Sequence, residues 1–299
     1  MNQSSRWQSA AEMIRRVSSG RGRELTGLYS IEGSRLVERA LRAGAPLTAA
    51  LTTERFAGSP RGRDLAAALL AAGVPLVYAP DEVVAELTEG RDLGHILCLV
   101  RLPADAMLER ILSAAGRPPT AADDPRPTTN ARQPHPSLAR AAAPSLLLAA
   151  VDITDPGNAG ALTRTAHAGG AAALLVVGAS DPFHPRATRI SRGSIFRLPI
   201  ISYDSAGALL ADLTRCGVVP VATAAGGGLA LPDLVLPDAP VAVLMGNEAE
   251  GLAPSVAAAV EHHVTIPMPA GVDSYSVNAA AAIVLYELQR RRWLADRYT

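Results

Sequence analysis

Five uninterrupted apolar runs in the second half of the chain set the tightest limit on its fold: SLLLAAVDI, AALLVVGA, VVPVATA, VAVLMGNE and HHVTIPM. None alternates apolar with polar residues, so each describes a strand covered on both faces. That pattern belongs to a parallel sheet, whose crossover helices lie on both sides. Helical stretches fit between the runs, and the expected fold class is α/β. Ligands of such sheets bind beyond the carboxyl ends of the strands. Here those ends are Asp152 to Asn158, Gly178, Thr223, Gly246 to Glu248, and Pro267 onward, where polar residues and glycines gather.

The first hundred residues describe a smaller α/β unit. GLYSIEGSRLVERALRAG reads as a strand entering a helix, with Leu36, Val37, Ala40 and Leu41 on one face. LTAALTTERF, VPLVYAP and GHILCLVRL read as strands, and RGRDLAAALLAAG and DEVVAELT as helices. The stretch SAAGRPPTAADDPRPTTNARQPHPSLARAAAPS carries seven prolines and almost no large apolar residue, the composition of a linker. The expected organisation is an N-terminal domain over residues 1–112, a Pro-rich flexible linker over 113–144, and a second α/β domain over 145–299.

Charge is balanced across the whole chain but not along it. All 28 cationic residues are arginines, offset by 28 acids. Residues 1–63 hold 11 Arg against 5 Glu, whereas residues 64–113 hold 3 Arg against 8 acids. A second basic island, HPRATRISRGSIFR, contains Arg186, Arg189, Arg192 and Arg197 and no acid. Guanidinium forks suit phosphate, although a solvated charged surface has the same composition. No apolar run reaches the roughly 18–20 residues of a membrane span. The N-terminus lacks the apolar core of a secretory signal; its Arg and Ser suit a transit peptide, against which Glu12 and Glu24 stand. Cys98 and Cys216 sit in apolar runs and read as buried small hydrophobes, consistent with a reducing, cytoplasmic setting.

Three stretches concentrate candidate chemistry. In DPGNAGALTRTAHAGG, Asp155 and Pro156 start a helix and Gly169–Gly170 closes it; this leaves Asn158, Gly160 and Arg164, of which Asn158 also reads as a second cap and Arg164 as a solvated helix residue. In LMGNEAEGL, Gly246 follows a buried strand directly and permits close approach to the backbone, with Asn247 and Glu248 beside it. In IPMPAGVDSYSVNAAAAIVLYEL, a Ser, a Tyr, a Ser and an Asn crowd the entrance of an Ala-rich helix. Backbone amides and such side chains can hold a carboxylate or a hydroxyl. Several familiar motifs are missing. There is no GxGxxG after either first strand, no P-loop (Gly226–Gly228 lacks its Lys), and no GxSxG elbow. His262–His263 has no third ligand at metal spacing, so no metal site is expected.

Taken in order, these stretches resemble the SpoU-type, TrmH-like RNA ribose 2′-O-methyltransferases of the SPOUT superfamily. NAGALTRTAHAGGA is similar to the family's first motif, RISRGSIFRLPI to its Arg-x-Ser-x-Gly segment, VLMGNEAEGL to the second motif, and IPM through LYE to the third. GLYSIEGSRLVERALRAGA resembles the start of the family's ribosomal-protein-like substrate-binding domain. The resemblance implies a trefoil-knotted methyltransferase domain, a homodimer with sites at or near the subunit interface, RNA (ribosomal or transfer) as substrate, and S-adenosylmethionine as cofactor. It places Thr223, Leu244, Gly246, Ile266, Met268 and Tyr275 at the cofactor, and Arg189, Ser191 and Arg192 at RNA.

The resemblance also assigns chemistry. Arg164 inherits the place at the ribose 2′-hydroxyl, with Asn158, Glu248, Ser276 and Asn278 orienting it, the ribose and the cofactor. An arginine is a poor base, so Arg164 is expected to hold the hydroxyl and the adjacent phosphate. The family usually reads Ser-Leu-Asn-Val-Ser in the third motif, whereas this chain reads Ser274-Tyr275-Ser276-Val277-Asn278. Aligned without gaps, the Asn and the following Ser are exchanged. That exchange motivates an alternative, an RNA-binding, ribosome-associated relative with lost or weak activity. A small-molecule binder built on the same kind of sheet is a third reading.

Overall fold

The structure, a computed structural model, describes residues 3–104, 106–115, 145–235 and 238–298. The expected linker from residue 116 to 144 lies outside the described residues. In chain order the elements begin with α1 (Gln3–Arg16), α2 (Gly20–Thr26), β1 (Leu28–Glu32), α3 (Ser34–Arg42), β2 (Leu47–Thr52), α4 (Glu54–Ala57), α5 (Pro60–Ala71), β3 (Leu76–Tyr78), α6 (Asp81–Leu87) and β4 (Ile96–Arg101). They continue with α7 (Leu108–Ala115), β5 (Leu146–Val151), α8 (Pro156–Ala168), β6 (Ala173–Val177), α9 (Pro185–Ile190), β7 (Ile200–Tyr203), α10 (Ala206–Arg215), β8 (Val219–Thr223), β9 (Leu229–Ala230), β10 (Val241–Met245), α11 (Pro254–Ala258), β11 (His262–Thr265) and α12 (Val277–Tyr298).

Two compact units emerge, and their boundaries differ from those expected from composition. One comprises Met1–Ala104 together with Phe183–Phe196; the other comprises Asp105–Pro182 and Arg197–Thr299. Helix α7 crosses the expected boundary at residue 112, and its Leu108 is buried in the core of the second unit beside Leu147 and Leu175. The basic island around α9, by contrast, belongs to the first unit.

The first unit is a four-stranded sheet in the order β1-β4-β2-β3, antiparallel except between β2 and β3. Alternate residues of each strand enter two cores. Tyr29, Ile31, Ala50, Cys98 and Val100 pack against α3 and α5, while Leu51, Leu97 and Leu99 pack against α1 and α6. Helix α1 looks polar in sequence, yet Ala11, Ile14 and Val17 are buried. At the turn that follows, the buried Arg23 guanidinium donates to the carbonyls of Val17 and Ser18, both at 2.9 Å. Burial of Glu32 at the end of β1 needs compensation, and two guanidinium groups supply it. Arg91 reaches it at 3.0 Å and Arg189 of α9 at 2.8 Å. Removing that buried charge strands Arg189, while Arg91 keeps only its exposed partner Glu89. Glu32→Ala is therefore expected to destabilise the first unit by roughly 3–5 kcal/mol, measured by urea denaturation; a loss below about 1 kcal/mol would class the cluster with surface pairs.

The second unit is a seven-stranded sheet in the order β7-β6-β5-β10-β8-β11-β9, with every pair parallel. Its central strands are buried on both faces, as their continuous apolar runs require. Strand β10 lies between β5 and β8, with Val243 opposite Leu148 on one side and Val221 on the other. Helix α12 runs beside α8. Near the far end of the pair, Gln289 donates to the Gly169 carbonyl at 3.2 Å. Arg291 fixes α12 to the turn after β9 by donating to the carbonyls of Leu231 and Leu234. Glu287 holds Arg290 and Arg291 in turn, and these two guanidinium groups push its pKa down to about 2. Among the described residues, no helix is long and apolar enough to cross a membrane.

Candidate active site at the carboxyl ends of the sheet

Strands β8, β10 and β11 end at a cavity of about 480 Å³, within the roughly 300–1,000 Å³ of small-ligand sites. Thr223, Gly246, Ile266, Met268 and Tyr275 line it. Leu244 does not: it is fully buried below, and its carbonyl accepts the Thr223 hydroxyl at 2.8 Å. The wall after β10 is a tight loop built by Asn247. The Asn247 N–H donates to the Gly251 carbonyl and the Gly251 N–H to the Asn247 carbonyl, both at 2.9 Å. The Asn247 side chain accepts from the Ala249 N–H at 2.8 Å and donates to the Asp152 carbonyl at 3.0 Å. Asn247 is thus spent on shaping the wall, which leaves Glu248 directed toward α8.

Glu248, Asn158 and Asn278 form a directed chain of hydrogen bonds. Asn278 Nδ2 donates to Asn158 Oδ1 at 2.9 Å, and Asn158 Nδ2 donates to Glu248 Oε1 at 2.7 Å. Three segments far apart in sequence meet here: the first turn of α8, the loop after β10, and the first turn of α12. The Asn278 Oδ1 atom is buried and has no hydrogen-bond partner among the described residues. An acceptor left so costs about 1–3 kcal/mol unless a donor arrives.

Ser276 and Asn278 do different work. Ser276 caps α12, its Oγ accepting the Ala279 N–H at 3.4 Å and its carbonyl the Ala280 N–H at 2.9 Å. Asn278 alone reaches Asn158. Ser276→Ala is expected to cost about 1 kcal/mol of stability, as a lost cap, and to leave the Asn158 network in place. Asn278→Ala is expected to leave Asn158 without its donor and to affect the site more than the melting temperature. Paired thermal melts and amide spectra of Asn158 separate the two; equal effects from both variants would contradict the division of labour.

Arg164 lies elsewhere on α8. Six residues past Asn158, it is about 120° around the helix. It is exposed, and among the described residues nothing bonds to its guanidinium. It does not line the cavity of its own chain. Of the residues expected at RNA, Arg192 is exposed, whereas Arg189 is held by Glu32. Ser191 is fully buried, its hydroxyl donating to the Thr188 carbonyl at 2.7 Å, so it closes α9 and does not face solvent. Further along the chain, burial and then the charge of Arg197 hold the His167 imidazole below its usual range. Among the described residues no cluster of His, Cys, Asp or Glu could hold a metal ion. Sequence reasoning passed over Glu250 and Asp273, and weighed His263 only as a metal ligand, yet all three line the cavity. For Glu250 and Asp273 the available signal was their place in the loops that follow β10 and β11.

A parallel sheet with a ligand-sized cavity at its strand ends, walled by a Gly-Asn-Glu loop and a polar helix entrance, defines an α/β domain with a candidate small-ligand site. Residues 145–286 match the SpoU rRNA Methylase family, and residues 12–92 match the MRM3-like substrate binding domain. The second unit thus carries a SpoU methylase-family domain, preceded in the chain by an MRM3-like substrate-binding domain. The chain is 35% identical over 150 residues to an uncharacterized tRNA/rRNA methyltransferase of Mycobacterium ulcerans, covering 50% of this chain and 48% of that protein. It is 34% identical over 145 residues to a 23S rRNA (uridine(2479)-2′-O)-methyltransferase of Streptomyces viridochromogenes, covering 46% of this chain and 50% of that protein. The chain therefore spans about half the length of the curated relatives it matches. Among solved structures, the SpoU methyltransferase AviRb from S. viridochromogenes in complex with AdoMet superposes with a TM-score of 0.75 at 25% identity, covering 96% of this chain and 97% of that one.

Proposed function

We propose that this chain is an S-adenosylmethionine-dependent methyltransferase acting on a ribose 2′-hydroxyl of ribosomal or transfer RNA, in the cytoplasm and as a homodimer. The observation that carries the proposal is the Asn278–Asn158–Glu248 chain beside the cavity, which joins all three motif stretches at one place. The relatives support it: a curated one is named a 23S rRNA 2′-O-methyltransferase, and a similar structure is a SpoU methyltransferase with AdoMet.

The cavity fits the cofactor on its own terms. Gly246 brings the backbone of β10 against the Gly251–Leu252 wall, so close that a Cβ there would meet Gly251 C at 2.2 Å. Thr223, Gly246, Ile266, Met268 and Tyr275 would hold the cofactor, with Leu244 supporting Thr223 from below. When bound, S-adenosylmethionine supplies an electrophilic methyl group. Arg164 would hold the ribose hydroxyl and its neighbouring phosphate, since a guanidinium keeps its proton. Asn158, Glu248 and Asn278 would fix the ribose and the entry of α12, and the bare Asn278 Oδ1 is an acceptor for a hydroxyl or amine donor. Arg192 would bind RNA phosphate, with Arg189 and the buried Ser191 positioning its loop.

Two features support the homodimer. Arg164 is exposed and outside its own cavity, as a residue completing a partner's site would be. An apolar groove between Ile266–Pro267 and Ile283–Tyr286, with Tyr286 59% exposed, offers a surface for a second copy. The insertion of β10 between β5 and β8, with α12 returning to α8, supports the proposed trefoil knot. The test is incubation of the purified protein with methyl-labelled S-adenosylmethionine and unmodified ribosomal or transfer RNA, followed by digestion. Label on a ribose is expected. Cofactor and RNA binding without label on free RNA or on ribosomal particles would favour the non-catalytic, ribosome-associated reading.

A further inference from the structure

We infer that a second cavity, inside the first unit, holds a single unpaired nucleotide of the RNA. Its volume is about 590 Å³, and it is enclosed by the start of α3, Phe56 of α4, Arg61 of α5, the Asp92–Gly94 loop and α9. Such a cavity admits one nucleotide and excludes a base-paired helix. Its lining includes five arginines, Arg35, Arg39, Arg61, Arg189 and Arg192, against two acids, Glu32 and Asp92.

The arginines are not equivalent. Arg189 is committed to Glu32 at 2.8 Å, Arg61 to Glu38 at 2.7 Å, and Arg39 donates to the Arg192 carbonyl at 2.5 Å. Those three set the walls. The side chains of Arg35 and Arg192 are exposed and bond to nothing among the described residues. Both line the cavity, from two segments distant in sequence, and Arg192 has a left-handed φ of 53°. Two free guanidinium forks at the rim suit a phosphodiester.

The floor suits a base. Phe56 is half-buried and sits against Gly94, where an added Cβ would come within 3.1 Å of its ring. Gly94 therefore packs its backbone against Ser34 and the edge of the Phe56 ring, which fixes the ring where it lines the cavity. Sequence-selective RNA recognition works mostly on unpaired nucleotides, with the base stacked on an aromatic or guanidinium plane and the phosphate on arginine. Helix α3 adds a start with no side-chain cap, Gly33 being its N-cap. The inference rests on the proposed RNA substrate and narrows it to a looped or bulged strand.

The test uses the full chain and short RNA hairpins that carry one unpaired A, C, G or U, or none, with a 2-aminopurine reporter at a fixed stem position beside the bulge site. At least one bulged hairpin is expected to bind roughly tenfold more tightly than its fully paired counterpart. Phe56→Leu is expected to remove that preference and Phe56→Tyr to keep it. Arg35→Ala and Arg192→Ala are each expected to weaken binding of both forms and to lower the salt slope by about one. Equal binding of bulged and paired hairpins, or a preference that survives Phe56→Leu, would overturn the inference. Cofactor titration of the same variants keeps the two questions apart. A chain that prefers bulged RNA but transfers no methyl group refutes the enzyme and not the pocket; the reverse result refutes the pocket alone.

Discussion

Arg164→Ala is expected to lower methyl transfer by on the order of 10²–10³-fold, the loss seen when a single donor is removed from developing negative charge. Cofactor affinity and folding are expected to hold, because the guanidinium lines no part of its own cavity and bonds to nothing among the described residues. The contrast between lost turnover and retained binding is the informative part. Single-turnover rates with labelled cofactor, read beside a cofactor titration and a thermal melt, provide it. Mixing this variant with a chain carrying a defective cavity adds a second readout. If Arg164 serves a partner's site, mixed dimers recover a fraction of the activity. An Arg164→Ala protein with normal turnover would remove the residue from the mechanism.

Gly246→Ala is expected to abolish cofactor binding at accessible concentrations. The added Cβ would lie 2.2 Å from Gly251 C and 2.3 Å from Leu252 N, both backbone atoms, so no side chain can rotate away to make room. The loop must move as a body, and the Asn247 bonds that bind it to Asp152 and Gly251 oppose that. Calorimetric titration with S-adenosylmethionine measures the loss. The strand itself is buried and paired on both sides, so the fold should survive, as circular dichroism would show. Retention of near-normal affinity would mean that the cofactor lies elsewhere than against β10.

How much of this could be read in advance follows from where each element lies. Strands β5, β6 and β10 were legible because burial on both faces leaves a continuous apolar run, whereas β8 and β11 are only partly buried and were read from shorter apolar segments. Strands β7 and β9 lie at the two edges of the sheet; β7 follows Ile200 and Ile201 with Ser202 and Tyr203, and β9 has only two residues, so neither leaves a continuous apolar run. Helix α1 was hidden by its arginines and serines, although Trp7, Ala11 and Ile14 recur at helical spacing along its buried side, with Val17 just beyond its end. The site was legible through motif order and not through periodicity. Asn158, Glu248 and Asn278 are close because a parallel sheet returns each strand end to one edge, but their hydrogen bonds depend on side-chain directions that no spacing encodes. Likewise, Ser191 read as an RNA contact because motif position cannot distinguish a hydroxyl that faces solvent from one that closes a helix. The contact-based units depart from the limits that composition suggests for a different reason. Composition marks where a chain is polar, not where it crosses from one packed body to another.

The discontinuity of the first unit bears on how the protein is made. Translation delivers the chain N-terminal end first. Residues 105–182 must leave the ribosome between the two parts of that unit. During this interval Glu32 has Arg91 but not yet Arg189, and Tyr29 lacks Phe183, whose ring comes to lie 5.1 Å from its own. The earliest segment to be synthesised thus waits, incompletely closed, for a late one, and its maturation is timed by elongation through the residues between them.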